Sequence, residues 1–181
     1  MRNASTPTEA SPSALSAATV VDLDVIPNWG GAGYDAFVIP AYVSGTAPTH
    51  ATNSTGPGPN DNNVTVPAGV LVRFVISNLD NAVNLNFTEH ASTSFTIYND
   101  TTGGYVALRY SEGQLVSRLP VGHTFTIPSL GVDIPLPPDT MVTFTYTFSA
   151  PGAYEYVCMA PCGSGMGLMS YMDRYVIVTS P

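Results

Sequence analysis

The residues able to do chemistry in this 181-residue chain are gathered in one stretch, Cys158-Met159-Ala160-Pro161-Cys162-Gly163-Ser164-Gly165-Met166-Gly167-Leu168-Met169-Ser170-Tyr171-Met172. Both cysteines stand here, and four of the six methionines fall in the same fifteen residues, Met166, Met169 and Met172 at three-residue steps. Three chemistries compete for such a stretch. A local disulfide accounts for a pair of cysteines in an exported protein, but not for methionines that a polar loop has no packing reason to collect. Zinc or an iron–sulfur cluster asks for four Cys/His ligands, and the chain has two Cys and three scattered His, His50, His90 and His123. Copper suits the donors better: thiolate and thioether are soft ligands for Cu(I), and imidazole holds both oxidation states. That site needs an imidazole from a distant strand. His123 is the natural donor, because it opens an alternating segment, whereas His50 lies in a Pro/Gly-rich loop and His90 in a surface segment.

The elements that must position these residues read as strands. Segments 18–26, 34–43, 70–78, 83–88, 94–98 and 104–110 have β character, and Val70, Val72, Phe74 and Ile76 share one face. In 123–127, His123, Phe125 and Ile127 point one way and Thr124 and Thr126 the other. In 141–149, Val142, Phe144, Tyr146 and Phe148 face in and Thr143, Thr145 and Thr147 face out. Segments 152–158 and 174–179 complete the set, with 159–173 a Gly/Met-rich loop between them. Many short strands and no helical stretch predict an all-β sandwich or barrel. Residues 1–17, rich in Ser, Thr, Pro and Ala, read as a flexible linker, and 18–181 as a single domain.

Composition excludes other classes. Thirteen acids against five arginines, with no lysine, give a net charge of −8, which argues against nucleic acid or anionic lipid as a partner. No stretch reaches the roughly 18 consecutive apolar residues of a membrane span. The first residues lack the basic start and apolar centre of a signal peptide. Asn-x-Ser/Thr nevertheless occurs at Asn3, Asn53, Asn63, Asn86 and Asn99, so the expectation is a glycosylated ectodomain that stands without its natural leader or anchor, Met1 being an added start. Low charge and the absence of lysine also suit an acidic exterior.

The run His123-Thr124-Phe125-Thr126-Ile127-Pro128-Ser129-Leu130-Gly131-Val132, then the prolines of 135–138, then Pro151-Gly152-Ala153-Tyr154, then Cys158-x-x-x-Cys162-Gly163, resembles the dinuclear-copper (CuA) domain of cytochrome c oxidase subunit II. The similarity covers residues 62–179, with 81–119 reading as an inserted β segment. It implies a cupredoxin Greek-key fold and a loop wrapping two coppers bridged by the sulfurs of Cys158 and Cys162. It also implies His123 and a methionine on one copper, and the carbonyl of Ala160 and a second histidine on the other. The family's motif is Cys-x-x-x-Cys-Gly-x-x-His-x-x-Met, and here Met166 stands at that second histidine. The last methionine is Met169 by count and Met172 by distance from the closing strand. Thioether is a weaker donor to Cu(II) than imidazole and does not protonate, so such a site would favour its reduced state and tolerate acid. One copper held by His123, the thiolates and a methionine is the second form of this reading. The archaeal blue-copper proteins of the sulfocyanin and rusticyanin types are similar more distantly; they carry one Cys followed by a His, and no His follows His123 here.

The function implied is electron transfer on the extracytoplasmic face of a membrane. Electrons would come from a redox protein, a cytochrome c or a blue-copper protein, and pass to the catalytic subunit of a haem–copper oxidase. A Cu(I) chaperone and a metal-free oxidase subunit with a Cys158–Cys162 disulfide are the alternatives. The sequence has no paired-carboxylate motif, Gly-x-Ser-x-Gly or phosphate loop, so catalysis proper would belong to another subunit.

Overall fold

The computed structural model describes residues 19–27, 35–38, 63–101, 104–161 and 172–181. Residues 1–17, expected to be a linker, and His50, Cys162, Met166 and Met169 lie outside the described residues.

Valine, isoleucine, threonine and aromatic residues dominate the described segments, and they form strands because branched and aromatic side chains pack well on a pleated surface. In chain order these are β1 (Thr19–Ile26), β2 (Ala36–Val38), β3 (Val64–Pro67), β4 (Leu71–Asn78), β5 (Leu85–His90), β6 (Phe95–Thr101) and β7 (Gly104–Tyr110). They continue with β8 (Leu115–Val121), β9 (His123–Ile127), β10 (Val132–Leu136), β11 (Thr140–Thr147), β12 (Gly152–Val157) and β13 (Asp173–Thr179). A single 3-10 turn, Pro128–Leu130, is the one helical element among the described residues; Gly131 closes it at φ 64°, a left-handed conformation that glycine adopts without strain.

Six strands form one sheet in the order β2-β1-β4-β11-β6-β7, five form a second in the order β10-β9-β12-β13-β3, and β5 pairs with β8. Pairing is antiparallel except for β1 with β4 and β3 with β13, which run parallel. The expected inward face of β4 is present: Val72, Phe74 and Ile76 are fully buried. Six aromatic rings join the sheets. Phe74 stacks on Phe144 within the first sheet at 4.7 Å, Phe125 stacks on Tyr156 within the second at 4.9 Å, and Phe125 meets Phe74 across the interface at 5.4 Å. Phe37 and Phe148 extend this cluster to either side.

Three strands went unread in the sequence. β3, β8 and β10 carry prolines, Pro67, Pro120 and Pro135, which break the alternation that betrays a strand. In β9, Thr124 and Thr126 point away from Phe125 as the alternation predicts, and they are only 2% and 9% exposed, because that face too is covered. Ser92 lies against it, exchanging hydrogen bonds with the backbone of Asp133 on β10. In β11, Thr145 and Thr147 are exposed as expected, while Thr143 is buried.

Candidate metal centre

Strand direction brings the predicted donors His123, Cys158 and Met172 to one end of the sandwich. β12 runs antiparallel to both neighbours, with Val157 opposite Thr126 on β9 and Asp173 on β13. The end of β12 therefore meets the start of β13, which Met172 precedes, and the residues that follow Val157 run on towards the start of β9, which is His123. The Cys158 N–H donates to the Met172 carbonyl at 2.9 Å, closing the neck of the intervening loop. From the other sheet, the ends of β1 and β4 and the start of β2 arrive at the same pole, since Val25 lies opposite Asn78 and Ile26 opposite Ala36.

His123 is completely buried, and its Nδ1 lies 3.8 Å from Cys158 Sγ. The Ala160 carbonyl oxygen is 3.7 Å from the same sulfur, and Ala160 is itself buried. Nitrogen and sulfur bound to one ion at about 2.0–2.3 Å are separated by about 3.5–4 Å at tetrahedral to trigonal angles. Imidazole nitrogen and cysteine sulfur thus stand at a spacing that fits a shared ion, and the soft-plus-imidazole donor set suits copper. Cys158 is disulfide-bonded in this structure, and the sequence offers it one partner, Cys162. Its sulfur must be released by reduction before it can act as a thiolate ligand. Of the predicted donors, His123, Cys158, the Ala160 carbonyl and the residue Met172, which is buried, are brought to this pole; Cys162, Met166 and Met169 are outside the described residues. His90 is exposed on β5.

Sequence reasoning missed two acids here. Asp80 Oδ2 is 2.8 Å from His123 Nε2, and Asp35 Oδ2 is 3.9 Å from it. Asp80 follows β4 and Asp35 precedes β2, so only the strand pairing shows that they meet a histidine far along the chain.

The buried threonines have a purpose at the same site. The Met159 N–H donates to Thr124 Oγ1 at 2.8 Å, Thr124 and Thr126 hydroxyls are 3.0 Å apart, and Thr126 donates to Asp133 Oδ1 at 2.6 Å. Because Thr126 spends its proton on Asp133, the bond between the threonines runs from Thr124 to Thr126. The result is a directional chain from the backbone beside Cys158 to one carboxylate. Burial raises the Asp133 pKa above its ordinary 3.8; the Thr126 hydrogen bond opposes this and the Glu89 charge adds to it. A raised carboxyl pKa means that the folded state binds the proton more readily than the unfolded chain, so this contribution to stability is complete below pH 3.8 and is lost as pH rises through the folded pKa. Asp133→Asn keeps an acceptor for Thr126 and removes the charge. Its melting temperature should exceed the parent's at about pH 7, with the difference shrinking as pH falls towards the carboxyl range; thermal melts across that range check this.

The described residues form an all-β architecture of two main sheets with a buried imidazole and sulfur at one pole. No family model and no curated protein sequence matches it. Solved structures similar to it include the periplasmic domain of subunit II of cytochrome oxidase (CoxB) of Bradyrhizobium japonicum, at 14% identity over 92% of this chain and 88% of that one, with a TM-score of 0.42. The copper protein rusticyanin is similar at 15% identity over 90% and 80% of the two chains, with a TM-score of 0.38. A multicopper oxidase from Pediococcus acidilactici is similar at 12% identity and a TM-score of 0.41, over 98% of this chain and 29% of the enzyme's length. Among the described residues, no helix is long and apolar enough to cross a membrane.

Proposed function

We propose that the chain is a copper-binding electron-transfer domain of the CuA type. The observation that carries this reading is the placement of Cys158 Sγ between His123 Nδ1 at 3.8 Å and the Ala160 carbonyl at 3.7 Å. Bound copper would supply a one-electron couple. His123, the thiolates of Cys158 and Cys162, the Ala160 carbonyl and a methionine would hold it, the two cysteines favouring two coppers over one. Met172 is the preferred methionine, since its backbone is tied to Cys158 and it is buried; Met166 and Met169 remain candidates from the loop between. Fixing the imidazole on a β-scaffold limits the rearrangement that a change of oxidation state would otherwise demand.

Leu79, Val83 and Met159 are exposed beside this pole, an apolar rim suited to a transient redox partner. The partners of this reading are a cytochrome c or blue-copper donor and the catalytic subunit of a haem–copper oxidase, met on the extracytoplasmic side of a membrane. The sequon residues Asn63, Asn86 and Asn99 are exposed and available for glycosylation there.

The test is anaerobic reconstitution after full reduction, in which two electrons and two protons convert the disulfide to two thiols. Copper-to-protein stoichiometry and EPR then decide. Two coppers sharing hyperfine coupling support the dinuclear form, and one copper with an intense thiolate band supports the mononuclear form. Uptake of Cu(I) alone, colourless and without reversible oxidation, makes the chain a copper carrier instead. A reduced, folded protein that takes up no copper ends the reading and leaves a disulfide-clamped β-module.

A further inference from the structure

The loop after β4 reaches His123 from the opposite sheet and is held at each step. Asn78, buried at the end of β4, donates from Nδ2 to the carbonyls of Leu136 at 3.0 Å and Pro137 at 2.9 Å. Its Oδ1 accepts the Asp80 N–H at 3.1 Å, and the Asp80 carbonyl accepts the Asp139 N–H at 3.2 Å. One carboxylate oxygen of Asp80, Oδ1, accepts the Ala82 N–H at 3.0 Å. The other, Oδ2, lies 2.8 Å from His123 Nε2.

A carboxylate accepts hydrogen bonds, so Nε2 is the nitrogen that carries the proton whenever the ring is neutral. The Nδ1 lone pair is then the one facing Cys158 Sγ at 3.8 Å. We infer that Asp80 is a positioning residue that selects the Nε2–H tautomer of His123 and aims Nδ1 at the sulfur pole. Its use in holding copper rests on the function proposed above; the tautomer stands without any metal. Asp35 Oδ2, at 3.9 Å from the same nitrogen, is beyond hydrogen-bond reach.

The test begins with metal-free, reduced protein and long-range proton–nitrogen NMR of the His123 ring, where Nε2 should be protonated and Nδ1 not. In Asp80→Asn a single amide oxygen must serve two donors, the Ala82 N–H and His123 Nε2–H. That variant should lose the single-tautomer signature and bind copper about 10–100-fold more weakly. Asp35→Asn should keep the parent tautomer. The assignment is overturned by an Nδ1–H ring in the parent, by a folded Asp80→Asn with tautomer and copper affinity unchanged, or by Asp35→Asn producing the same shift as Asp80→Asn. If Asp80→Asn does not fold, the parent spectrum decides alone. An Nε2–H ring in a protein that takes up no copper supports the assignment while removing the proposed function, so the two fail separately.

Discussion

Serine in place of Cys158 should abolish copper uptake and colour in protein reconstituted under reducing, anaerobic conditions. A hydroxyl is a hard, protonated donor where the reading requires a soft thiolate, here 3.8 Å from His123 Nδ1. Stability must be compared in the reduced state as well. Cys158 is disulfide-bonded, and closing so short a loop is worth about 2 kcal/mol on the chain-entropy model, so oxidised samples would confuse loss of the crosslink with loss of the ligand. Once the parent's disulfide is opened, neither protein carries the crosslink, and the remaining change is a hydroxyl in a buried position, costing about 1–3 kcal/mol. A variant that melts cooperatively and still takes up copper like the parent would contradict the assignment of Cys158.

The second large effect is expected at Gly122. A Cβ built there would lie 2.6 Å from the backbone carbonyl oxygen of Ala82, with Asn78 Nδ2 at 3.5 Å. That oxygen cannot swing away cheaply. Asn84 binds the Gly122 carbonyl through Nδ2 at 2.6 Å and the Val121 carbonyl through its N–H at 2.9 Å, and Gly122 N–H donates to Leu136 at 3.2 Å. Gly122→Ala should cost about 1–3 kcal/mol, the usual penalty for overpacking. In a chain of this size that lowers the melting temperature by about 3–10 °C. Because Ala82 also donates to Asp80, and His123 follows Gly122 directly, copper affinity should fall with stability. Differential scanning calorimetry beside a copper titration measures both; a melt coincident with the parent's would contradict the close approach.

The fold was legible wherever one face of a strand is oily and the other wet. β4 and β11 alternate cleanly, so their inward residues could be named from spacing. β9 shows the limit: its threonines look like a solvated face, yet a second layer covers them, and nothing in five residues of alternation reports what lies on the far side. At the candidate site, the sequence drew attention to His123 and Cys158, which lie 3.8 Å apart, because sulfur and imidazole are rare and their spacing is distinctive. Asp80 drew none, since an isolated acid after a strand is ordinary, and its meaning comes from a contact with His123 across 43 residues of sequence. The same holds for Gly122, whose importance lies in a carbonyl that a different loop brings near.

The parallel pairing of β3 with β13 bears on how the chain comes to be folded. Val64 lies beside Val176, 112 residues later, as Tyr175 lies to Asn63. The second sheet cannot be finished until nearly the whole described chain has been synthesised, and until then the apolar edge of β3 has no neighbour on that side. Topologies of such high contact order fold on the millisecond-to-second scale and are vulnerable to association meanwhile. Truncation before residue 173 should therefore yield an aggregating polypeptide rather than a smaller domain.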